Sequence, residues 1–149
     1  MNNSEFKLEL FSRNKSMTTP LSRRVERPAW NIIDESINDA FHFGGNVRLD
    51  VLMPEDSYIK SINMISLPST YRLMLLTRDS DIKREILEWW EPTDSGRTGL
   101  VRFGDDDWDI RTTCADIIVA KEIFYDFYET GEVNSMYMEN FRSQWNPKP

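Results

Sequence analysis

The chain has 149 residues, of which 40 % are hydrophobic and 29 % charged, with a formal net charge of −7; that length and mixture suit one globular domain with a substantial core and exclude a disordered chain. No apolar run approaches the roughly 18 residues of a membrane span, Met1–Glu9 lacks the basic-then-apolar order of a secretory signal, and the lone Cys114 excludes an internal disulfide and a cysteine-based zinc cluster. We therefore expect a cytoplasmic protein of one domain spanning 1–149. The charge is uneven: residues 1–30 hold six Lys/Arg against three Glu, a net of +3, so the remainder carries −10. Such an acidic body repels phosphate backbones and speeds encounter with basic proteins.

The elements follow in chain order. Phe6-Lys7-Leu8-Glu9-Leu10-Phe11 alternates apolar and polar residues, which predicts a half-buried strand. Residues 12–27 are polar and basic with an internal Pro20, and read as a basic loop or mobile arm. Pro28 suits a first helical turn, and Trp30, Ile33, Ile37, Ala40 and Phe41 recur at helical spacing. This predicts a helix over 28–42, ended by a left-handed cap at Gly44-Gly45. Val47, Leu49, Val51 and Met53 alternate as a strand, and Pro54–Ser57 is a turn. Ile59–Leu67 and Tyr71–Thr77 read as two strands joined through Pro68-Ser69-Thr70. Leu73-Met74-Leu75-Leu76, apolar on both faces, places the second of these inside the sheet. Asp81–Trp90 fits either helix or strand, and its strand neighbours favour strand. Leu100–Phe103, a turn at Gly104–Asp107, and Trp108–Thr112 read as a hairpin. A helix is expected over 114–130, with Thr113 as its cap, Asp116 as a short capping-box partner and Gly131 as its stop. Ser135–Trp145 reads as a short final helix. The sum is an α+β fold: an antiparallel meandering sheet of about five to six strands with two main helices packed on it.

Groups able to carry chemistry are few. His42, the single histidine, falls at the end of the first helix, where a cation suits the helix dipole. Cys114 lies near a predicted helix start, which can lower a thiol pKa, but it sits in no cysteine-enzyme motif and reads as a buried structural thiol. No phosphate-binding glycine loop is present. The aromatic residues do not interleave with the basic stretch as they do in single-strand nucleic-acid binders. We expect no enzyme activity, no cofactor and no nucleic-acid or membrane partner.

The run Asp105-Asp106-Asp107-Trp108-Asp109 is the sharpest local feature. It lacks the spacing of a calcium loop, which needs Gly at position six and Glu at position twelve, so we assign it no metal. It reads as a solvated turn. It also joins Glu88, Glu91 and Asp94 in a stretch, 79–110, that holds ten Asp/Glu against four Lys/Arg, which reads as a contact patch for a basic partner. In Trp89-Trp90, neighbours on a strand point to opposite faces; one can fill the core while the other serves a partner as a hot spot. The candidate partner-binding residues are therefore Asp105, Asp106, Asp107, Asp109, Trp90, Glu91 and Asp94. Two other functions are open on the same residues: a homo-oligomeric assembly module using the Trp89/Trp90 face, and a metal-dependent enzyme centred on Asp105–Asp109. The oligomeric state is not fixed by the sequence.

Several segments taken together carry a family likeness. They are Gly44-Gly45-Asn46-Val47-Arg48-Leu49 after the first helix, Pro68-Ser69-Thr70-Tyr71, the stretch Gly99-Leu100-Val101-Arg102-Phe103-Gly104 running through the aspartates to Asp109-Ile110-Arg111-Thr112, Phe124–Gly131, and Ser143–Pro147. From about residue 28 onward the chain resembles the small bacterial immunity proteins encoded beside polymorphic and contact-dependent growth inhibition toxins. It is most similar to those with an aspartate-rich turn before a D-x-R strand. The resemblance implies a protein that binds a cognate toxin domain, often a basic nuclease, and blocks it. It assigns no particular binding residue.

Overall fold

The first strand begins where the alternation does. In the computed structural model, which describes residues 6–15, 22–78, 85–91 and 97–143, β1 (Lys7–Asn14) pairs antiparallel with β2 (Ser22–Glu26). There follow α1 (Trp30–Phe43), β3 (Gly45–Met53), β4 (Ile59–Leu67), β5 (Thr70–Thr77) and β6 (Glu85–Trp89). Next come β7 (Leu100–Phe103), β8 (Asp106–Asp109), a 3-10 turn at Ile110–Thr112, β9 (Thr113–Cys114), α2 (Ile117–Thr130), α3 (Ser135–Met138) and β10 (Phe141–Ser143). Among the described residues eight strands form one antiparallel sheet, seven of them in the order β10-β6-β5-β4-β3-β1-β2. The eighth, β9, pairs with the Tyr71–Arg72 end of β5, on from where β6 pairs with Met74–Thr77. β7 and β8 make a separate two-stranded unit.

Strand register sorts the side chains into transverse rows, because alternate residues point to alternate faces. On one face Val25, Leu10, Leu49, Ile62, Leu75 and Leu87 stand opposite one another across six strands. This row meets Ile33, Ile37 and Ala40 of α1 and Ala120, Ile123, Phe124 and Phe127 of α2 in one core cluster. Tyr71 joins the helical layer to the sheet: its hydroxyl donates to the Asp116 carbonyl at 2.6 Å and accepts from the Ala120 amide at 3.0 Å. It thereby satisfies an amide that the first turn of α2 leaves without a helical partner. At Gly45 a side chain has no room, since a Cβ would lie 2.1 Å from the Arg13 carbonyl oxygen. The glycine lets β1 and β3 pair to their ends.

Six sequence expectations change. α1 ends at Gly44 with φ 87° and ψ 157°, outside the left-handed helical region, and the strand expected over Trp108–Thr112 is β8, with Ile110–Thr112 in the 3-10 turn. Among the described residues the sheet has eight strands rather than five or six, because β2, β9 and β10 are too short to stand out in the sequence. The stretch read as a basic loop or mobile arm at 12–27 instead continues β1 to Asn14 and supplies β2 from Ser22. Its charges sit on an edge strand, which needs few apolar residues. α2 begins at Ile117 rather than 114, with Asp116 itself as the cap accepting from the Ile118 amide at 3.0 Å, because Thr113 and Cys114 are drawn into β9. The expected final helix is one turn, α3, after which Phe141 pairs with Trp89 as strand; Trp145 lies outside the described residues. The strand reading of Asp81–Trp90 matches β6 over Glu85–Trp89, and residues 81–84 lie outside the described residues. The left-handed stop expected at Gly131 is present, with φ 76° and ψ 6°.

Candidate functional site

The face of the sheet turned away from α1 and α2 is built differently. Its corresponding row runs Arg24, Phe11, Arg48, Asn63, Met74, Glu88 and Arg142 across seven strands. Four of its seven members are charged. Arg24 and Arg48 both stand over the Phe11 ring, at 5.4 and 5.1 Å from its centroid. Glu88 accepts from Arg72 Nη2 at 2.9 Å on one carboxylate oxygen and from Arg142 Nε at 3.1 Å on the other. Arg72 lies 3.5 Å from the Trp108 ring centre, and Trp90 lies between Arg142 at 3.4 Å and Arg111 at 4.2 Å. Arg72 and Glu88 are almost wholly buried, with side-chain exposures of 4 % and 6 %. Desolvation pulls the Arg72 pKa down, and the Glu88 charge opposes that pull. A cation stacked on indole away from water is worth up to about 2 kcal/mol.

Trp108 is how the β7–β8 hairpin is attached to this face. In its register Phe103 faces Asp106, Arg102 faces Asp107, Val101 faces Trp108 and Leu100 faces Asp109. Asp106 and Trp108 therefore share one side of the hairpin, and Asp107 and Asp109 the other. All four aspartates, with Asp105 in the turn, are exposed. Asp107 receives a two-pronged bond from Arg102, at 3.0 and 3.2 Å. The Asp109 carboxylate accepts from the Arg111 amide at 2.9 Å and so starts the 3-10 turn. The hairpin places the four carboxylates within one small projection but not on a single plane.

The other candidates lie at its base. Glu91 accepts from Arg97 Nη1 on both carboxylate oxygens at 3.0 Å, and its carbonyl accepts from Arg111 Nε at 3.0 Å and Nη2 at 2.7 Å. Trp89 is buried against Phe141 with ring centres 5.9 Å apart, while Trp90 is half-buried on the opposite face. Asp94 lies outside the described residues. His42 is exposed in the last turn of α1. Cys114 is buried, and burial pushes its thiol pKa up, away from a reactive thiolate. Among the described residues no group of three or more His, Cys, Asp and Glu is arranged to hold a metal ion. Nor is any helix among them long and apolar enough to cross a membrane.

Two features escaped the sequence. The arginines that hold the site (Arg72, Arg97, Arg111 and Arg142) are scattered along the chain, and nothing local marks them as neighbours of Glu88, Trp90, Glu91 or Trp108. The second is an exposed apolar set on the helical side, Ile118, Tyr125 and Met136. Its one signal is the presence of large apolar residues outside the buried stripe of α2.

Residues 7–137 match a family of unknown function (DUF6911). The chain belongs to that family. A solved structure titled "Crystal structure of a hypothetical protein from Neisseria gonorrhoeae" shares the fold of this DUF6911 member with a TM-score of 0.68. That match covers 91 % of this chain and 95 % of the other at 11 % sequence identity, so it speaks for the fold alone. No curated protein matches the chain.

Proposed function

We propose that this DUF6911 member is a protein-binding domain that neutralises a basic partner, in the manner of a cytoplasmic immunity protein held against a bacterial toxin domain such as a nuclease. The observation that carries the reading is the β7–β8 hairpin: four exposed carboxylates within five residues, on a projection pinned through Trp108 to a buried arginine. A hairpin already held in place loses little further freedom on binding, so more of its contact energy remains as affinity. Its carboxylates form a concentrated part of the chain's net charge of −7 and steer a basic protein toward it. Leu100, 70 % exposed opposite Asp109, offers an apolar contact beside the acids. In this reading Asp105, Asp106, Asp107 and Asp109 meet the partner, while Trp90 and Glu91, gripped by arginines, hold the base of the hairpin.

The test is binding to the C-terminal domain of the protein encoded immediately upstream, followed by titration calorimetry with the wild type and the Asp105→Lys/Asp107→Lys variant. Neither substitution touches the core. We expect a complex that weakens with added salt, and an affinity loss on the order of tenfold or more for each reversed charge. Equal affinity of variant and wild type would remove the hairpin from the interface. Absence of a complex with that domain, together with turnover of a substrate by the purified chain, would remove the proposal.

A further inference from the structure

Between the hairpin and the open face of the sheet lies a cleft of about 580 Å³. Its floor is another transverse row, Arg13, Asn46, Ile65 and Arg72, contributed by four adjacent strands. The hairpin supplies the opposite wall through Phe103, Trp108 and Asp106, and Lys15 stands at the rim. The volume falls within the range of about 300–1,000 Å³ typical of small-molecule sites. Three cations thus meet one carboxylate in a protein whose net charge is −7.

Arg72 is the unusual member. A guanidinium carries five N–H donors in a planar fork. Glu88 accepts from Nη2 and divides its carboxylate with Arg142, and the Nε of Arg72 is buried with no hydrogen-bond partner. That Nε is closed to solvent, so what Arg72 offers the cleft is its positive charge, which a single carboxylate shared with Arg142 only partly offsets. The acceptor that fits a forked cation is a carboxylate or a phosphate. Trp108 and Phe103 give the same cavity an apolar side, and Asp106 gives it a hydrogen-bond acceptor.

We propose that this cleft binds a small organic acid, its carboxylate or phosphate group held by Arg72, Arg13 and Lys15 and its apolar body lying against Trp108 and Phe103. The exposed aspartates of the hairpin rim repel a polyanion, so the occupant is a small molecule and not a nucleic acid. This site shares Asp106 with the partner reading above, but its cations Arg13 and Lys15 are not among the proposed protein contacts, so the Arg13→Ala/Lys15→Ala variant tests it separately.

The full chain is titrated at constant ionic strength with sodium phosphate, phenyl phosphate, acetate and benzoate, while NMR follows the Trp108 indole N–H and the Arg72 Nε–H. We expect saturable shifts of both signals, with the phenyl-bearing probe about tenfold tighter than its parent anion; the tighter pair shows whether phosphate or carboxylate is preferred. Arg13→Ala/Lys15→Ala alters exposed side chains only, and should weaken binding at least tenfold with the thermal midpoint unchanged. Absence of a saturable shift with all four probes up to about 10 mM overturns the proposal. Undiminished binding by the double variant overturns it as well, since the anion would then sit elsewhere.

Discussion

The two faces of the sheet use the same strands and opposite chemistry. Across the helical face the row from Val25 to Leu87 is aliphatic throughout, and α1 and α2 seal it from water. Across the other, one residue along each strand, the row from Arg24 to Arg142 holds three guanidiniums, one carboxylate and one aromatic ring, with Asn63 and Met74 at its centre. Apolar burial on the first face is non-directional and tolerates a range of partners. On the second, each group depends on a particular neighbour, because a buried charge is stable only while it is paired. The first face holds the fold together. The second fixes where the hairpin stands and leaves polar groups at its border available for recognition.

Substitutions probe this difference, beginning with the largest effect. Phe124 is fully buried in the helical layer, and Phe124→Ala should cost about 3–5 kcal/mol in urea unfolding. A loss below about 1 kcal/mol would mean the helices are not sealed onto the sheet. Glu88→Ala should cost about 3 kcal/mol by leaving Arg72 and Arg142 without the carboxylate they share. The triple change Arg72→Met/Glu88→Leu/Arg142→Met should recover most of that loss, because it removes both cations together with the carboxylate they share and leaves apolar side chains that need no partner. If the triple variant is no better than the single one, the open face is held by shape and not by charge pairing. The smallest effect belongs to the hairpin. Arg102→Ala breaks the exposed bond to Asp107 and should change stability by no more than about 0.5 kcal/mol, with the difference vanishing in high salt.

The same division explains what the sequence discloses. Period-two alternation identified β1 and β3, since each sends one side into a continuous apolar layer; β4 and β5 showed as runs joined through Pro68-Ser69-Thr70, and helical spacing identified α1 and most of α2. β2, β9 and β10 stayed hidden because a strand of two to five residues whose partners are already in the sheet needs no pattern of its own. The start of α2 was misplaced because Cys114 is claimed by Tyr71 across the sheet, a tertiary pairing with no local trace. At the candidate site the aspartates and Trp89-Trp90 stood out as composition, and the split of the two tryptophans between faces followed from strand geometry. What the aspartates and Trp90 meet did not follow. Asp107 finds Arg102 five residues away, within reach of hairpin reasoning. Trp108 finds Arg72 and Trp90 finds Arg142, separations that only the assembled sheet brings together.

The outermost strand β2 has a further consequence, for behaviour at high concentration. Its five residues include Arg23, Arg24 and Glu26, tied inward by Arg24 to Glu9 at 2.7 Å and by Lys7 to Glu26 at 3.5 Å. A border of open backbone amides and carbonyls invites a second copy to add its own strand, and a charged border makes that addition costly in desolvation and repulsion. The charges on this edge therefore oppose self-stacking, and neutralising the exposed Arg24 would favour fibrous or amorphous precipitate.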